Sequence, residues 1–494
     1  MAMSRPMTEQ KTDQTAEQAP GISFEELAAL HQAILNLRRE GKLPQAEARA
    51  RELLARMPNE PNTMAVLASI LMDKGQPEAA GNLLLRAREV APLSPVTWAN
   101  LGRFLQTIGR WAQAEALFEL AMKNFPQEAA FVMTLGQIYQ RANRFVDAEN
   151  LFRRVIEMEP SHALAHMHLG MTLVRQNRAA QAVTCFNRAI ELQPDFASAY
   201  GNLGNAWQQL GDMPAAEAAY EKAVGLNPGD DISQTSLGVV KLKRGASREA
   251  ADIFERVLAG RSAERRAAAW FPFARAQELG QMPAGYRSEL ATLISRAVLT
   301  PPPGFSSMAE LNKALAEALR KEPSLAFEPA GKATRKGKQT GLLLDHPRQP
   351  YLAFEQTLRK AIDAHFAGLK RVPNHPYLGM IPDSYQIALW GTLLPEGGHQ
   401  YSHIHAGGWM SGVYYVELPG TLGKPDGENR DGWIEFGHPP PELDAQFEPQ
   451  TVFFEPRQGE ALFFPSYYFH RTVPFSGPAE RVSLAFDVKP TGFR

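Results

Sequence analysis

The sequence predicts a two-part α + β chain, an all-α solenoid of helical repeats followed by a smaller β-rich domain. Three observations predict it. Several residue types recur every 34 positions through the first half, a proline run ends the recurrence, and short β-branched and aromatic runs then alternate with Gly/Pro turns. A chain of 494 residues also exceeds what one core accommodates, so more than one domain is expected.

The repeat comes first. Leu101-Gly102 recurs as Leu135-Gly136, Leu169-Gly170, Leu203-Gly204 and Leu237-Gly238. Proline holds the same period at Pro58, Pro92, Pro126, Pro160, Pro194 and Pro228, and alanine at Ala46, Ala80, Ala114, Ala148, Ala182, Ala216 and Ala250. Gly or Asn stands at Gly41, Gly75, Gly109, Asn143, Asn177, Gly211 and Gly245, where a first helix must end in left-handed geometry. Each Pro closes a second helix, because it cannot continue the hydrogen-bond ladder. The small residues let the paired helices approach, and Phe118, Phe152, Phe186, Tyr220 and Phe254 fill the space four positions after each Ala. Trp98, Leu101-Gly102, Ala114, Phe118, Ala121 and Pro126 resemble the tetratricopeptide repeat. About seven copies cover residues 27–264, the last with Ser262 in place of its proline. The resemblance implies a concave groove that binds a protein or peptide; self-association or scaffolding is the alternative. His162, His166 and His168 lie at a repeat boundary and read as packing or solvated residues rather than ligands.

The surrounding segments follow from composition. Residues 1–22 are polar, lack the apolar core of a signal peptide and read as a disordered tail. Residues 265–299 read as a helical cap or bridge, with a helical segment around Trp270–Ala297. Thr300 to Gly304 forms a stiff break that opens a linker with one short helix, near Met308–Arg320, over residues 300–345. Residues 346–494 form the β domain, led by an amphipathic helix near Tyr351–Leu369. Its strands are expected at Tyr385–Leu394, Trp409–Leu418, Gly432–Phe436, Thr451–Phe454, Ala461–Phe464 and Arg481–Val488, which suits a sandwich or small barrel.

Composition excludes several classes. A net charge of −1 gives no long-range attraction to nucleic acid or anionic lipid, so neither is an expected partner. No window approaches the 18 apolar residues of a membrane span, and a cytoplasmic location is expected. Cys185 is the only cysteine, which rules out an intramolecular disulfide or a Cys-rich zinc site; it reads as a small buried filler.

Chemistry concentrates in the β domain. His403 and His405 are two apart, so on a strand both rings share one face and converge on one ion, with His470 as a distant third ligand. Arg481 opens the last strand with Ser483 on its own face, and a guanidinium fork matches a carboxylate bidentately. His399 and His438 stand in loop-like text and read as solvated. Trp390, Tyr414, Tyr415 and Phe464 suit either a pocket wall or the core.

His403-Ile-His405, Ser411-Gly-Val-Tyr-Tyr415, Gly459…Phe464-Pro-Ser466…His470 and Arg481-Val-Ser483, with Lys338-Gln-Thr340 upstream, resemble 2-oxoglutarate- and iron(II)-dependent oxygenases over about residues 337–490. That resemblance implies a double-stranded β-helix (jelly-roll, cupin-like) fold. It implies iron(II) on His403, His405 and His470, and 2-oxoglutarate held by Arg481, Ser483 and Tyr415, with ascorbate as an optional addition. The activity it implies is hydroxylation, here of a protein or peptide chosen by the repeats, or of a small molecule while the repeats recruit the enzyme elsewhere. One departure is plain. The usual His-x-Asp/Glu pair of these enzymes reads His403-x-His405, as in the bacterial and phage branch that the local text resembles more closely, so the carboxylate is missing unless Glu417, Asp431 or Glu435 supplies it. Zinc in a hydrolytic site, or a non-catalytic scaffold with a degenerate β domain, are the alternatives.

Overall fold

The computed structural model describes residues 22–260, 264–329, 331–345, 347–420, 422 and 429–493. The tail, but for its last residue, and Ser262 lie outside these. The described chain divides into two compact units, residues 1–194 and 195–494.

The first unit is ten helices in antiparallel pairs: α1 (Phe24–Arg39), α2 (Leu43–Arg56), α3 (Pro61–Asp73), α4 (Pro77–Val90), α5 (Pro95–Thr107), α6 (Trp111–Asn124), α7 (Ala129–Arg141), α8 (Phe145–Met158), α9 (Ala163–Arg175) and α10 (Ala179–Leu192). The left-handed turn between paired helices is real: φ is +76° at Gly109 and +60° at Asn177. Close approach explains the Leu-Gly pairs. A Cβ at Gly170 would stand 2.6 Å from Cε1 of Phe186, and one at Gly136 would stand 2.7 Å from Phe152, so the ring occupies the space a side chain would need. His162, His166 and His168 are all engaged within the protein. His162 caps α9, His166 bonds the Pro160 carbonyl, and His168 bonds Gln137 and Gln140 while stacking on Phe152.

The second unit opens with the same pattern in α11 (Ala197–Leu210), α12 (Met213–Leu226), α13 (Asp231–Lys243) and α14 (Ser247–Ala259), then α15 (Arg265–Leu279) and α16 (Tyr286–Thr292). Helix ends at Thr292, not Ala297: Ser295–Val298 is β1, an edge strand on which Arg296 bonds Glu460 at 3.0 Å. The stretch read as linker contributes α17 (Met308–Arg320) and three short strands, β2 (Ala326–Phe327), β3 (Thr334–Arg335) and β4 (Lys338–Gln339). Two-residue strands have no periodicity to read; pairing alone makes them. Then follow α18 (Tyr351–Gly368), β5 (Pro382–Leu394), β6 (His399–His403), β7 (Met410–Glu417), β8 (Ile434–Phe436), β9 (Val452–Phe454), β10 (Glu460–Pro465), β11 (His470–Thr472) and β12 (Arg481–Phe493).

The strands form two antiparallel sheets, ordered β1-β10-β7-β12-β5-β4-β2 and β3-β6-β11-β8-β9, in a double-stranded β-helix. Alternation sorts the larger sheet's faces. Tyr414 points to the helices, donating to Asn312 Oδ1 of α17 at 2.7 Å and lying 4.9 Å from the Phe354 ring of α18. Its neighbour Tyr415 points the other way, under Arg481. The unit's core is continuous from the last helices into the sheets: Phe469 meets Trp270 at 5.2 Å and Phe273 at 5.4 Å between ring centroids. Among the described residues, no helix is long and apolar enough to cross a membrane.

Candidate metal centre

Three histidines are brought together by two strands and a turn. His403 ends β6 directly opposite His470, the first residue of β11. β6 stops at His403, so His405 reaches the site from the following turn rather than from strand alternation. Its amide bonds the Ser466 carbonyl at 2.9 Å and its ring crosses to the larger sheet. The ring centroids of His403, His405 and His470 lie 5.1, 4.3 and 5.1 Å apart, and one nitrogen of each falls within 4.8 Å of the others.

Hydrogen bonds on the outer nitrogens orient all three rings. His403 Nδ1 donates to the Tyr401 carbonyl at 2.8 Å, His470 Nδ1 to the Tyr468 carbonyl at 2.9 Å, and His405 Nδ1 to Asp487 Oδ1 at 2.6 Å. With Nδ1 engaged in these bonds, Nε2 is the nitrogen that each ring is left to offer the common centre. His403 Nε2 and His405 Nε2 stand 3.1 Å apart. Adjacent ligands about 2.1 Å from one ion would take a spacing close to that. Burial, then the charge His405 would carry, pushes His403 down to about 3, and burial pushes His470 far below the usual imidazole range. Both rings are neutral at any ordinary pH, the form in which an imidazole can bind a metal.

The facing wall is polar in a specific way. Arg481, Ser483, Ala485 and Asp487 alternate onto the inner face of β12, and Ser483 sits in register between Tyr415 of β7 and Thr392 of β5. Arg481 is 2% exposed; its Nη1 donates to the Gly432 carbonyl at 2.9 Å and its guanidinium lies 5.0 Å from the Tyr415 ring centre. Arg481 Nε, Tyr415 Oη and Thr392 Oγ1 are buried without a hydrogen-bond partner. Orphaned polar atoms are costly, and these three, unpaired among the described residues, lie on adjacent strands of one wall, where a group that accepts and donates hydrogen bonds would satisfy them. Thr392 was not singled out in the sequence, although its register with Ser483 follows from the strand pairing. Trp390 and Phe464 line the histidine cluster, 5.4 Å from His405 and 4.8 Å from His470. Tyr414 faces the helices.

None of the three acids that could have supplied the missing carboxylate joins the histidine cluster among the described residues. Glu417 pairs with Arg320 at 2.6 Å and Glu435 with Arg471 across β8 and β11. Asp431 lies beyond the strand end, before the turn at Gly432. The carboxylate that does reach the site is Asp487, on the outer side of the His405 ring. Alternation from Arg481 would have placed it on this face. His399 and His438 bond neighbouring carbonyls, Gly397 and Pro439, and stay outside the cluster.

The residues fit both groups that the resemblance implies. Three neutral imidazoles suit iron(II) as they suit zinc, and the orphaned guanidinium and hydroxyls suit a dicarboxylate. Residues 388–487 match the family model described as "Putative 2OG-Fe(II) oxygenase". Tetratricopeptide-repeat models match residues 37–103, 97–127, 133–183 and 169–231. Similar solved structures include "Crystal structure of MamA", 25% identical, covering 32% of this chain and 93% of that one with a TM-score of 0.30. A tetratricopeptide repeat protein from Parabacteroides merdae ATCC 43184 is 15% identical, with coverages of 50% and 98% and a TM-score of 0.41. The Cut9–Hcn1 hetero-tetramer of the APC/C is 19% identical with a TM-score of 0.42; the match spans 50% of this chain and 48% of that one. No curated protein matches.

Proposed function

We infer that this chain, which carries tetratricopeptide repeats and a C-terminal domain of the 2-oxoglutarate/iron(II) oxygenase family, is a dioxygenase that hydroxylates a protein or peptide recruited by the repeats. Two observations together support this above the rest: three imidazoles converge on one centre, and the strand that carries Asp487 to them also carries a buried guanidinium that no described carboxylate neutralises. When bound, iron and 2-oxoglutarate supply oxidative decarboxylation to succinate and carbon dioxide, coupled to transfer of one oxygen atom of O2 to a substrate C–H bond.

The chain's own residues do the rest. His403, His405 and His470 would hold the ion through their imidazole nitrogens. Arg481 grips the far carboxylate of 2-oxoglutarate, with Tyr415 and Ser483 adding hydrogen bonds. Trp390, Phe436 and Phe464 surround the imidazoles with apolar surface and keep water from the reacting atoms. Tetratricopeptide repeats mediate protein–protein interaction in general. In the first unit an open cavity of about 930 Å³, lined by Leu85, Phe104, Leu105, Leu117 and Leu120 with Glu78 and Arg88, suits an apolar stretch of peptide.

The test is succinate formation. Full-length protein purified without oxygen is given iron(II), 2-oxoglutarate and then air, with and without candidate peptides, beside His403→Ala and His470→Ala. Succinate is expected from the wild type and a loss of at least about 100-fold from each variant. No succinate under any condition would favour the scaffold reading. Stoichiometric zinc that iron fails to displace would favour a hydrolase.

A further inference from the structure

The family's ligand carboxylate is absent here, yet a carboxylate stands one bond further out. His405 Nδ1 donates to Asp487 Oδ1 at 2.6 Å. Ser411 Oγ donates to the same oxygen at 2.6 Å and lies 3.1 Å from His405 Nδ1, so three groups close a small network around one ring nitrogen. Both residues come from the larger sheet, where Asp487 and Ser411 stand in register on β12 and β7. His403 and His470 are held only by neutral carbonyls of residues two positions back on their own chain segments. Asp487 therefore differs from the carbonyls that orient the other two rings: it carries charge, and it comes from the opposite sheet.

The burial of Asp487 points the same way. Its side chain is 13% exposed; His405 is its direct ion-pair partner among the described residues, and the charge of Lys489 acts on it from further away. A carboxylate removed from water costs several kcal/mol unless a cation answers it. A divalent ion on the other nitrogen of the His405 ring is one, and it would also strengthen the Nδ1–H···O bond by drawing electron density from the ring.

Building on the dioxygenase reading, we propose that Asp487 is a positioning residue of the metal centre, supplying through the His405 ring the negative charge that an all-imidazole ligand set lacks. The ion then sees one carboxylate within its surroundings, as in a two-histidine, one-carboxylate site, but relayed through the ring rather than bound directly. Asp487 also fixes the angle of the one ligand that no strand holds, because β6 ends at His403.

Cobalt(II), added to the metal-free full-length protein, provides a readout independent of turnover. Its visible absorption reports both occupancy and ligand field. Asp487→Asn retains an acceptor for His405 and Ser411 but removes the charge. It is expected to bind cobalt about 10- to 100-fold more weakly, with a shifted absorption band at saturation. Asp487→Glu is expected to recover part of the loss. Melting of the metal-free proteins checks that Asp487→Asn is folded. Wild-type protein that binds cobalt together with an Asp487→Asn variant within twofold of it would overturn the role of Asp487 and leave the dioxygenase reading standing. Wild-type protein that binds no cobalt would overturn both.

Discussion

Replacing Arg481 by methionine asks whether the buried guanidinium serves a ligand or the fold. It is 2% exposed, has one hydrogen bond to the Gly432 carbonyl and meets no described carboxylate. Exchanging such a lone cation for an apolar side chain of similar length returns about 1–4 kcal/mol. Leaving the Gly432 carbonyl unpaired costs about 1–3 kcal/mol. The two nearly cancel, so ligand-free Arg481→Met should melt within a few degrees of wild type, at about 2 °C per kcal/mol for a unit of this size. Breaking a structural ion pair would instead cost about 3–5 kcal/mol, a fall of about 6–10 °C. With manganese(II) present, 2-oxoglutarate at about 100 times its dissociation constant should add about 2.7 kcal/mol to the wild type and nothing to the variant. Scanning calorimetry of both proteins, with and without the two additions, measures each term. A variant that melts about 6 °C lower yet keeps the 2-oxoglutarate-dependent rise would refute the reasoning.

Two further outcomes concern the repeats. Gly170→Ala should lower stability by about 1–3 kcal/mol despite better helix propensity, because its Cβ meets Phe186 at 2.6 Å. Gly225→Ala, in α12 with nothing within 4 Å, should raise stability by up to about 1 kcal/mol; urea unfolding that gave both changes one sign would contradict this. His168 is held neutral down to about 4 by burial, reinforced by His162. The unfolded chain takes up that proton first, so the contribution is complete above about pH 6.5 and lost as pH falls towards 4, at most about 3 kcal/mol before solvent screening. Thermal melts of wild type and His168→Gln between pH 7.5 and 4.5 should converge as the pH drops; parallel profiles would remove His168 from the account.

What could be read in the sequence was what recurs or alternates. Gly109 and Asn177 declared the left-handed turn because only a few residue types tolerate it, and Leu169-Gly170 with Phe186 declared a contact between paired helices. The long strands β5, β7 and β12 carried enough alternating apolar residues to be seen. His399–His403 and His470–Thr472 did not, being short, polar and defined by pairing with each other. The three histidines lie together, but not by strand alternation: His403 and His405 do not share a strand face, and a turn plus Asp487 set the second ring. Glu417, Asp431 and Glu435 were sought nearby in sequence, whereas the carboxylate at the site stands 82 residues from His405, a separation that only sheet topology closes.

The aromatic wedge of Trp270 and Phe273 against Phe469 has a consequence for how this protein came to be assembled. Phe469 immediately precedes His470, so the lining of the β-helix at its distal histidine is shared with helices that follow the last repeat. A chain begun at the proline run would open that lining, with Phe447 beside it, to water. The β-helix is thus not a cassette that could be moved freely among partners; cut from the helices that seal it, it loses part of its own core.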